Sequence, residues 1–421
     1  MSTDSEPQID QDAPSETPSA TLPQGSDVFM MDLLATVPYY TAYLSRALIS
    51  AGANVNIGSI TYYLDPVCFS SRKLKLRPGC LDMVGRYPLP RGPRRVLKLM
   101  ELALNLAVLS LRALVRPPTV LHIQYLPLVR WPLRFDLWFA KLCRRRGSAL
   151  VLTVHDLLPH DTAERYKAIF HGIYQQMDAL ICHSDHVRGR LESEFGVPAE
   201  KVHVIPHGPF FYDLPALGQD DVRAKYGIPS DRQLVLWQGI MFPYKGVDIL
   251  LNAWQQVEDK VSDAHLIIVG TGSPELLAEL QGQVERLGLR NATLDLRFTS
   301  TGELVAIYRA ADIVVYPYRA ITTSGALATG LSLGKAVVAS DLPVFRELLA
   351  DRETALLVSP GRIDEFAEAI LSLLQDKALR QHISEQVRAM DFGPQSWKKI
   401  AVSTLQTYRA AFARRQLASP Q

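Results

Sequence analysis

The 421-residue chain reads as an α/β protein built from two doubly wound, Rossmann-like domains that face each other across a central cleft. Three observations predict this. From Val28 onward, short apolar runs alternate with segments of helical period, the pattern of parallel strands joined by crossover helices. The alternation is interrupted once, after Pro206-His207-Gly208-Pro209, by a connector carrying Pro215, Gly218 and the paired acids Asp220 and Asp221. The length also suits two ordinary domains better than one.

The first series predicts strands over Val28–Leu34, Asn54–Ser59, Val120–Tyr125, Ala149–Val154, Ala179–His183 and Val202–Ile205, with helices at Thr41–Ala51, Arg94–Val115 and Asp161–Met177. The second predicts strands over Leu234–Trp237, His265–Val269, Leu294–Phe298, Ile313–Tyr316, Ala336–Ala339 and Ala355–Leu357, each followed by a helical pattern. A last helix, roughly Ser396–Ala413, has no strand after it. The chain therefore divides into an acidic tail (1–27), a first Rossmann-like domain (28–208), a second Rossmann-like domain (209–395) and a C-terminal helix and tail (396–421) expected to pack back on the first domain. Ligands of open parallel sheets bind at the carboxyl ends of the strands, so function is sought in the loops there.

The formal charge of +2 hides a strong asymmetry. Residues 1–27 hold six acids and no base, whereas residues 71–150 hold seventeen Lys or Arg and three acids. The acidic tail, rich in Ser, Pro and Gln, has the composition of a disordered segment and lacks the basic and apolar regions of a secretory signal. The basic block mixes cations with apolar and aromatic residues: Arg91–Arg116 is an apolar helix with cations at its ends, and Trp131, Arg134, Trp138, Phe139, Lys141 and Arg144-Arg145-Arg146 follow. Segment 91–146 is thus expected to lie against an anionic membrane surface, at the cytoplasmic face, with core packing behind a solvated basic rim as the alternative. Nucleic acid is not expected, because no recognition motif accompanies the charge. Cys68, Cys80, Cys143 and Cys182 have no metal-ligand spacing and read as reduced, mostly buried thiols of a cytosolic protein.

Several strings at the predicted strand ends point to the site. They are Thr153-Val154-His155-Asp156, Ile205-Pro206-His207-Gly208, Pro243-Tyr244-Lys245-Gly246-Val247-Asp248, Ile268-Val269-Gly270-Thr271-Gly272, Ala310-Ala311-Asp312 and Gly334-Lys335-Ala336-Val337-Val338-Ala339-Ser340-Asp341. Their order and spacing resemble glycosyltransferase family 4, retaining nucleotide-sugar enzymes of GT-B fold, over roughly Val28 to Phe412. The resemblance implies that Lys245 contacts the donor diphosphate, that His155 meets the donor sugar near the reaction centre, and that Gly239, Gly270, Gly272 and Phe298 line the nucleotide side. Ser324 is a good N-cap, and the amides of Ser324, Gly325, Ala326 and Leu327 could cradle phosphate oxygens. The bland reading of these residues is a solvated lysine, a structural histidine and an ordinary capped helix. His207 is read as shaping the hinge, and His160, His183 and His186 as structural.

The sequence departs from the family pattern in three places. The paired glutamates fall at Ile321 and Thr329, where Thr329 could keep only a weaker hydrogen bond to the donor ribose. The phosphate-binding arginine falls at Ile240 or Phe242, and Arg319 is the candidate to replace its charge. The glycine-rich loop is replaced by Pro38-Tyr39-Tyr40-Thr41, whose Tyr39 and Tyr40 suit either stacking on a sugar or lipid-linked acceptor, or the core. A branch that begins the phosphate helix with Ser-Gly is the closer match.

The resulting expectation is transfer of a hexose-type sugar from a nucleotide-sugar donor to a glycan, polysaccharide-precursor or lipid-linked acceptor, with no cofactor and no metal. The only Asp-x-Asp string, Asp10-Gln11-Asp12, lies in the tail. The alternatives are a catalytically silent binding protein of the same fold and a sugar-nucleotide epimerase.

Overall fold

The computed structural model describes residues 26–87, 91–131, 133–158, 163–213, 219–390 and 392–417. Most of the acidic tail, including Asp10-Gln11-Asp12, and His160 lie outside them. Six strands, β1 (Asp27–Met31), β2 (Asn54–Gly58), β3 (Val120–Ile123), β4 (Ala149–Thr153), β5 (Ala179–Cys182) and β6 (Val202–Val204), form one parallel sheet in the order β2-β1-β3-β4-β5-β6. Six more, β7 (Gln233–Gln238), β8 (Ala264–Val269), β9 (Ala292–Asp295), β10 (Ile313–Tyr316), β11 (Ala336–Ser340) and β12 (Leu356–Val358), form a second in the order β12-β11-β10-β7-β8-β9. Central strands such as β3, β4, β8 and β10 are buried at every residue, as expected of sheets covered on both faces by helices. The strand order reverses between β1 and β3 and between β7 and β10, which places a crevice at the C-terminal end of each pair.

Two predicted elements differ in ways that bear on the site. The ninth strand spans Ala292–Asp295 rather than Leu294–Phe298, because its register with β8 pairs Leu266 with Ala292 and ends at Val269 with Asp295. Arg297, Phe298 and Thr299 are thereby released into a loop. The first helix begins at Pro38, three residues before the expected start, with proline in its first turn, where its missing N–H costs nothing. Tyr39 and Tyr40 therefore sit on a helix, not in a loop. The loop before it is held without glycine by buried Asp32, whose carboxylate accepts from the Thr36 amide at 2.7 Å, the Val37 amide at 3.1 Å and the Thr41 hydroxyl at 3.2 Å.

The helix Pro394–Leu417 crosses to the first sheet and buries Trp397, Ile400, Ala401, Tyr408 and Ala411 in a cluster with residues of β1, β2 and the helix Pro38–Ser50. Trp397 Nε1 donates to the Pro209 carbonyl at 2.7 Å, which ties this helix to the interdomain connector. All four cysteines are free, and Cys80 is exposed rather than buried.

Candidate active site

The C-terminal edges of the two sheets meet around a cavity of about 360 Å³. The first sheet contributes Thr36–Tyr40 after β1 and His155 and Asp156 after β4. The second contributes Gln238–Ile240 after β7, Val269–Thr271 after β8, Arg297–Thr299 after β9, and Ile321 and Thr323–Ala326 after β10. His207, Phe210 and Phe211 close it at the connector.

Among the described residues two cations line this cavity: Arg297, which is paired with Asp295 and Glu303, and Lys245. Lys245 ends the short turn Pro243–Lys245, and its Nζ stands 3.0 Å from where a Cβ on Gly239 would project. Glycine at 239 is thus what lets the ammonium approach the end of β7. Burial lowers the Lys245 pKa to about 8, against which the Asp156 carboxylate acts in the opposite direction. The side chain is therefore a largely protonated cation at neutral pH, poorly hydrated and ready for an anion.

The helix Gly325–Ser332 points its first turn at the same cavity. The Ser324 hydroxyl accepts from the Leu327 amide at 3.1 Å, and the Leu327 side chain is fully buried. Leu327 thus does not present its amide to a ligand, which corrects its assignment to the donor site. Gly325 and Ala326 remain on the cavity wall, and a Cβ at 325 would stand 2.7 Å from the Phe210 ring. Thr329 also lines the cavity, but its hydroxyl donates to the Gly325 carbonyl at 2.8 Å and accepts from the Phe210 amide at 3.3 Å. Its proton goes to Gly325 and one lone pair to Phe210, which leaves a single lone pair to accept from a ribose hydroxyl, a weaker partner than the family's carboxylate.

Arg319 requires a larger correction. Its guanidinium is engaged away from the cavity, in a bidentate pair with Asp248 (2.9 and 2.6 Å) and a bond to the Pro243 carbonyl at 2.6 Å. Its own amide donates to the Tyr244 carbonyl at 2.7 Å. Arg319 clasps the turn that carries Lys245 and supplies no charge to the cavity itself. Arg319→Ala is therefore expected to lower donor kcat/KM by about three- to tenfold through a loosened turn, measured by nucleoside diphosphate release, and Asp248→Ala to do the same without adding to it.

His155 stands on the cavity wall, its ring edge-on to Tyr40 at 4.8 Å between centroids. Burial, with His183, His207 and His122 nearby, holds its pKa well below the usual value, so the ring is neutral. His207, read from sequence as a hinge residue, also faces the cavity, where burial lowers its pKa to about 3. Tyr40 is packed among His155, His183, His207 and Trp397 and is only 2% exposed, so core packing rather than stacking on an acceptor is its main role. Tyr39 exposes part of its ring to the cavity, but its hydroxyl bonds the Asp65 carboxylate at 2.8 Å beside Thr301 of the second domain.

Gly270 is at the cavity, whereas Gly272 packs against Met241 and lies outside the lining. Phe298 lines the cavity edge-on to Tyr62 at 6.1 Å. Lys335 is structural, donating to the Arg309 and Ala311 carbonyls at 2.8 and 2.7 Å where the helix Thr301–Ala310 ends. Sequence reasoning missed Tyr62, Asp65, Phe210 and Gln124. For Gln124 a signal existed, since it follows His122 by two positions and so falls on the same face at the end of an apolar strand. Among the described residues no group of three or more His, Cys, Asp or Glu is placed to hold a metal ion.

Two facing Rossmann-like sheets with a lysine and a helix N-terminus at their shared cleft define a GT-B protein. The family model described as "Glycosyltransferase Family 4" matches residues 37–208, and that described as "Glycosyl transferases group 1" matches residues 218–390. The chain belongs to glycosyltransferase family 4. It is 26% identical over 406 residues to a D-inositol 3-phosphate glycosyltransferase of Xylanimonas cellulosilytica, covering 89% of this chain and 92% of that protein. It is 25% identical over 236 residues to the uncharacterized glycosyltransferase MJ1607 of Methanocaldococcus jannaschii, covering 55% of this chain and 60% of that protein. The fold is that of Anabaena Alr3699/HepE, solved in complex with UDP and glucose, with a TM-score of 0.70, 18% identity and coverage of 90% and 99% of the two chains.

Proposed function

We propose that the protein is a retaining glycosyltransferase that moves a hexose-type sugar from a nucleoside-diphosphate donor to a hydroxyl of a glycan, polysaccharide-precursor or lipid-linked acceptor. The observation that carries this is the half-buried Lys245 ammonium in a cavity shared by both domains, beside the start of the helix Gly325–Ser332. Departure of the diphosphate concentrates negative charge, and a preorganised cation with backbone amides stabilises it without reorganisation. The acceptor hydroxyl attacks the anomeric carbon on the face that the phosphate leaves. The C–O bond to the phosphate breaks as the new one forms, and the departing phosphate oxygen takes the acceptor's proton. No protein nucleophile is needed. His155 orients the sugar, and the loop at Phe298 receives the base.

Lys245 supplies the positive charge at the diphosphate, so transfer is expected to proceed without a metal or other cofactor and to survive chelator. The relatives' names support a sugar donor, and the complex of HepE with UDP and glucose makes uridine diphosphate sugars the first donors to try. The test is incubation with a panel of nucleotide sugars, following nucleoside diphosphate release and the anomeric configuration of the product. Release or transfer from one donor supports the reading. An intact but epimerised donor, or no donor binding by calorimetry, refutes it.

The acceptor reading includes a membrane. Along the helix Arg91–Val115, residues Val96, Met100, Leu104 and Leu111 share one face and are 48–65% exposed, while Leu102, Leu106, Leu109 and Ala113 are buried on the other. Exposed Trp131, Leu133, Phe135 and Trp138 continue the apolar surface, and Arg95, Arg112, Arg116, Lys141, Arg145 and Arg146 supply exposed cations around it. Apolar side chains rimmed by cations suit an anionic bilayer, with each cation worth about 1 kcal/mol near the surface. Among the described residues no helix is long and apolar enough to cross a membrane, so the proposed association is peripheral, at the inner face of the plasma membrane. Of the three consecutive arginines, Arg144 is not available for this role, because it binds the Gln176 carbonyl and the Asp178 carboxylate. The expected result is that Trp131→Ser and Trp138→Ser combined with Arg145→Gln and Arg146→Gln cut co-sedimentation with phosphatidylglycerol vesicles at least about tenfold. Parental binding by that variant removes the membrane role.

A further inference from the structure

A line of buried polar contacts runs from the C-terminal helix to the cavity. Tyr408 Oη lies 2.7 Å from His122 Nδ1, and His122 Nε2 lies 2.7 Å from Thr153 Oγ1 and 3.1 Å from Gln124 Nε2. Gln124 Oε1 then lies 3.1 Å from His155 Nε2. Tyr408, His122, Thr153 and Gln124 are all at most 2% exposed, so their polar atoms must find partners within the protein.

One further contact orients the whole line. The Gln124 amide nitrogen lies 2.9 Å from Met30 Sδ. A thioether sulfur accepts and never donates, so the NH2 end must face it and the carbonyl end must face His155. A carbonyl oxygen accepts only, which puts the His155 proton on Nε2. Since the ring is neutral, Nδ1 carries a bare lone pair. The same amide donates to His122 Nε2, so the His122 proton is on Nδ1 and goes to Tyr408 Oη. No described protein group bonds His155 Nδ1, and that nitrogen is not among the sealed, unpartnered atoms of the structure. It is therefore accessible, on a ring that lines the interdomain cavity and a smaller one beside Gln124.

We propose that Gln124 is a positioning residue that locks His155 as the Nε2–H tautomer, so that His155 meets its substrate as a hydrogen-bond acceptor through Nδ1. Its partner is then a hydroxyl that donates, on the transferred sugar or the acceptor, and not a phosphate oxygen, which would need an N–H. Tyr408 completes the lock from the last helix, which gives the return of that helix to the first sheet a part in the site. The consequence for transfer rests on the glycosyltransferase reading; the tautomer rests on the contacts alone.

The test is long-range ¹H–¹⁵N correlation on the full chain labelled at histidine, with His155 assigned by His155→Gln. The expected pattern at pH 7 is a proton on Nε2 and a bare Nδ1. A proton on Nδ1, or a doubly protonated ring, overturns the proposal. Gln124→Met, which removes the carbonyl at similar volume, is expected to give tautomer-averaged His155 shifts in a folded protein. It should also lower kcat about tenfold with donor KM within about twofold. Parental shifts together with parental kcat in that variant also overturn it. Gln124→Glu keeps an oxygen against Nε2–H and should retain the tautomer at pH 8. The new carboxylate, set among His122, His183, His207, Tyr40 and Asp156, should make kcat fall as pH drops and Nδ1 takes a proton. A flat profile for Gln124→Glu counts against an open Nδ1. If no donor is turned over, the spectra alone decide the tautomer, and the failure belongs to the transfer reading.

Discussion

Lys245→Ala is expected to lower donor kcat/KM by about 10²–10³-fold, the range typical for loss of one preorganised group at a developing oxyanion. The magnitude follows from burial. An exposed lysine exchanges one set of water contacts for another, whereas the Lys245 ammonium sits over Gly239 in a cavity whose other lining cation, Arg297, is paired with Asp295 and Glu303. With Arg319 held by Asp248 and Arg297 by Asp295 and Glu303, neither covers for its loss. The pH dependence has a definite sign. A free lysine titrates near 10.5 and Lys245 at about 8. Between these values the unfolded chain holds a proton that the folded one has released, so this residue's contribution to stability improves as pH rises through that window. Below about pH 8 the folded protein carries the cost of a buried ammonium. Lys245→Met should therefore raise the Tm of the ligand-free protein at pH 7 by about 2 °C or more while abolishing turnover. Donor kcat/KM in the parent should fall as pH climbs through about 8. Retention of more than a tenth of parental activity in Lys245→Ala would mean that another group carries the diphosphate.

Gly270→Ala should destabilise the protein by at least about 3 kcal/mol and abolish donor binding. Gly270 has φ of +152°, and a Cβ there would stand 1.8 Å from the Gly239 carbonyl oxygen, a backbone atom with nowhere to go. The ends of β7 and β8 cross at that point, with Gly239 N donating to Val269 O and Gly270 N to Asp295 O, both at 3.1 Å. Separating the crossing displaces Gly239 and with it the seat of Lys245. Gly288 provides the comparison, because its φ is +64° and nothing lies within 4 Å of its missing Cβ. Gly288→Ala should cost only about 1 kcal/mol, the backbone term by itself. Chemical denaturation of both variants measures the difference. Equal losses would show that the loops can part.

Much of this was legible before any coordinates. Lys245, Gly239, Gly270, Phe298, Gly325 and His155 all reach the cavity because each lies in the segment that follows a strand's C-terminal end, and those ends share one edge of a parallel sheet. The errors share another cause. Arg319, Leu327 and Tyr40 also lie in segments that follow strand ends, yet each has a partner or a packing site inside the protein that spacing cannot reveal. An arginine free at an open sheet edge and one clasped to Asp248 read alike in sequence. The apolar helix near residue 100 was ambiguous for the same reason: its composition is shared between a buried face and an exposed one, and packing decides which residues go to each.

The sequence by itself determined the class of fold, the division into two parallel-sheet halves, the family and the lysine at the centre of the cleft. These depend on periodicity and on short strings whose residues are neighbours along the chain. Only the tertiary structure decided which charges are free to meet a ligand and which proton a histidine keeps. Those outcomes turn on contacts between residues 286 apart, as in His122 with Tyr408, or 71 apart, as in Arg319 with Asp248. Hydrogen bonding and desolvation act through space at about 3 Å, and the order of residues along a chain does not encode that distance.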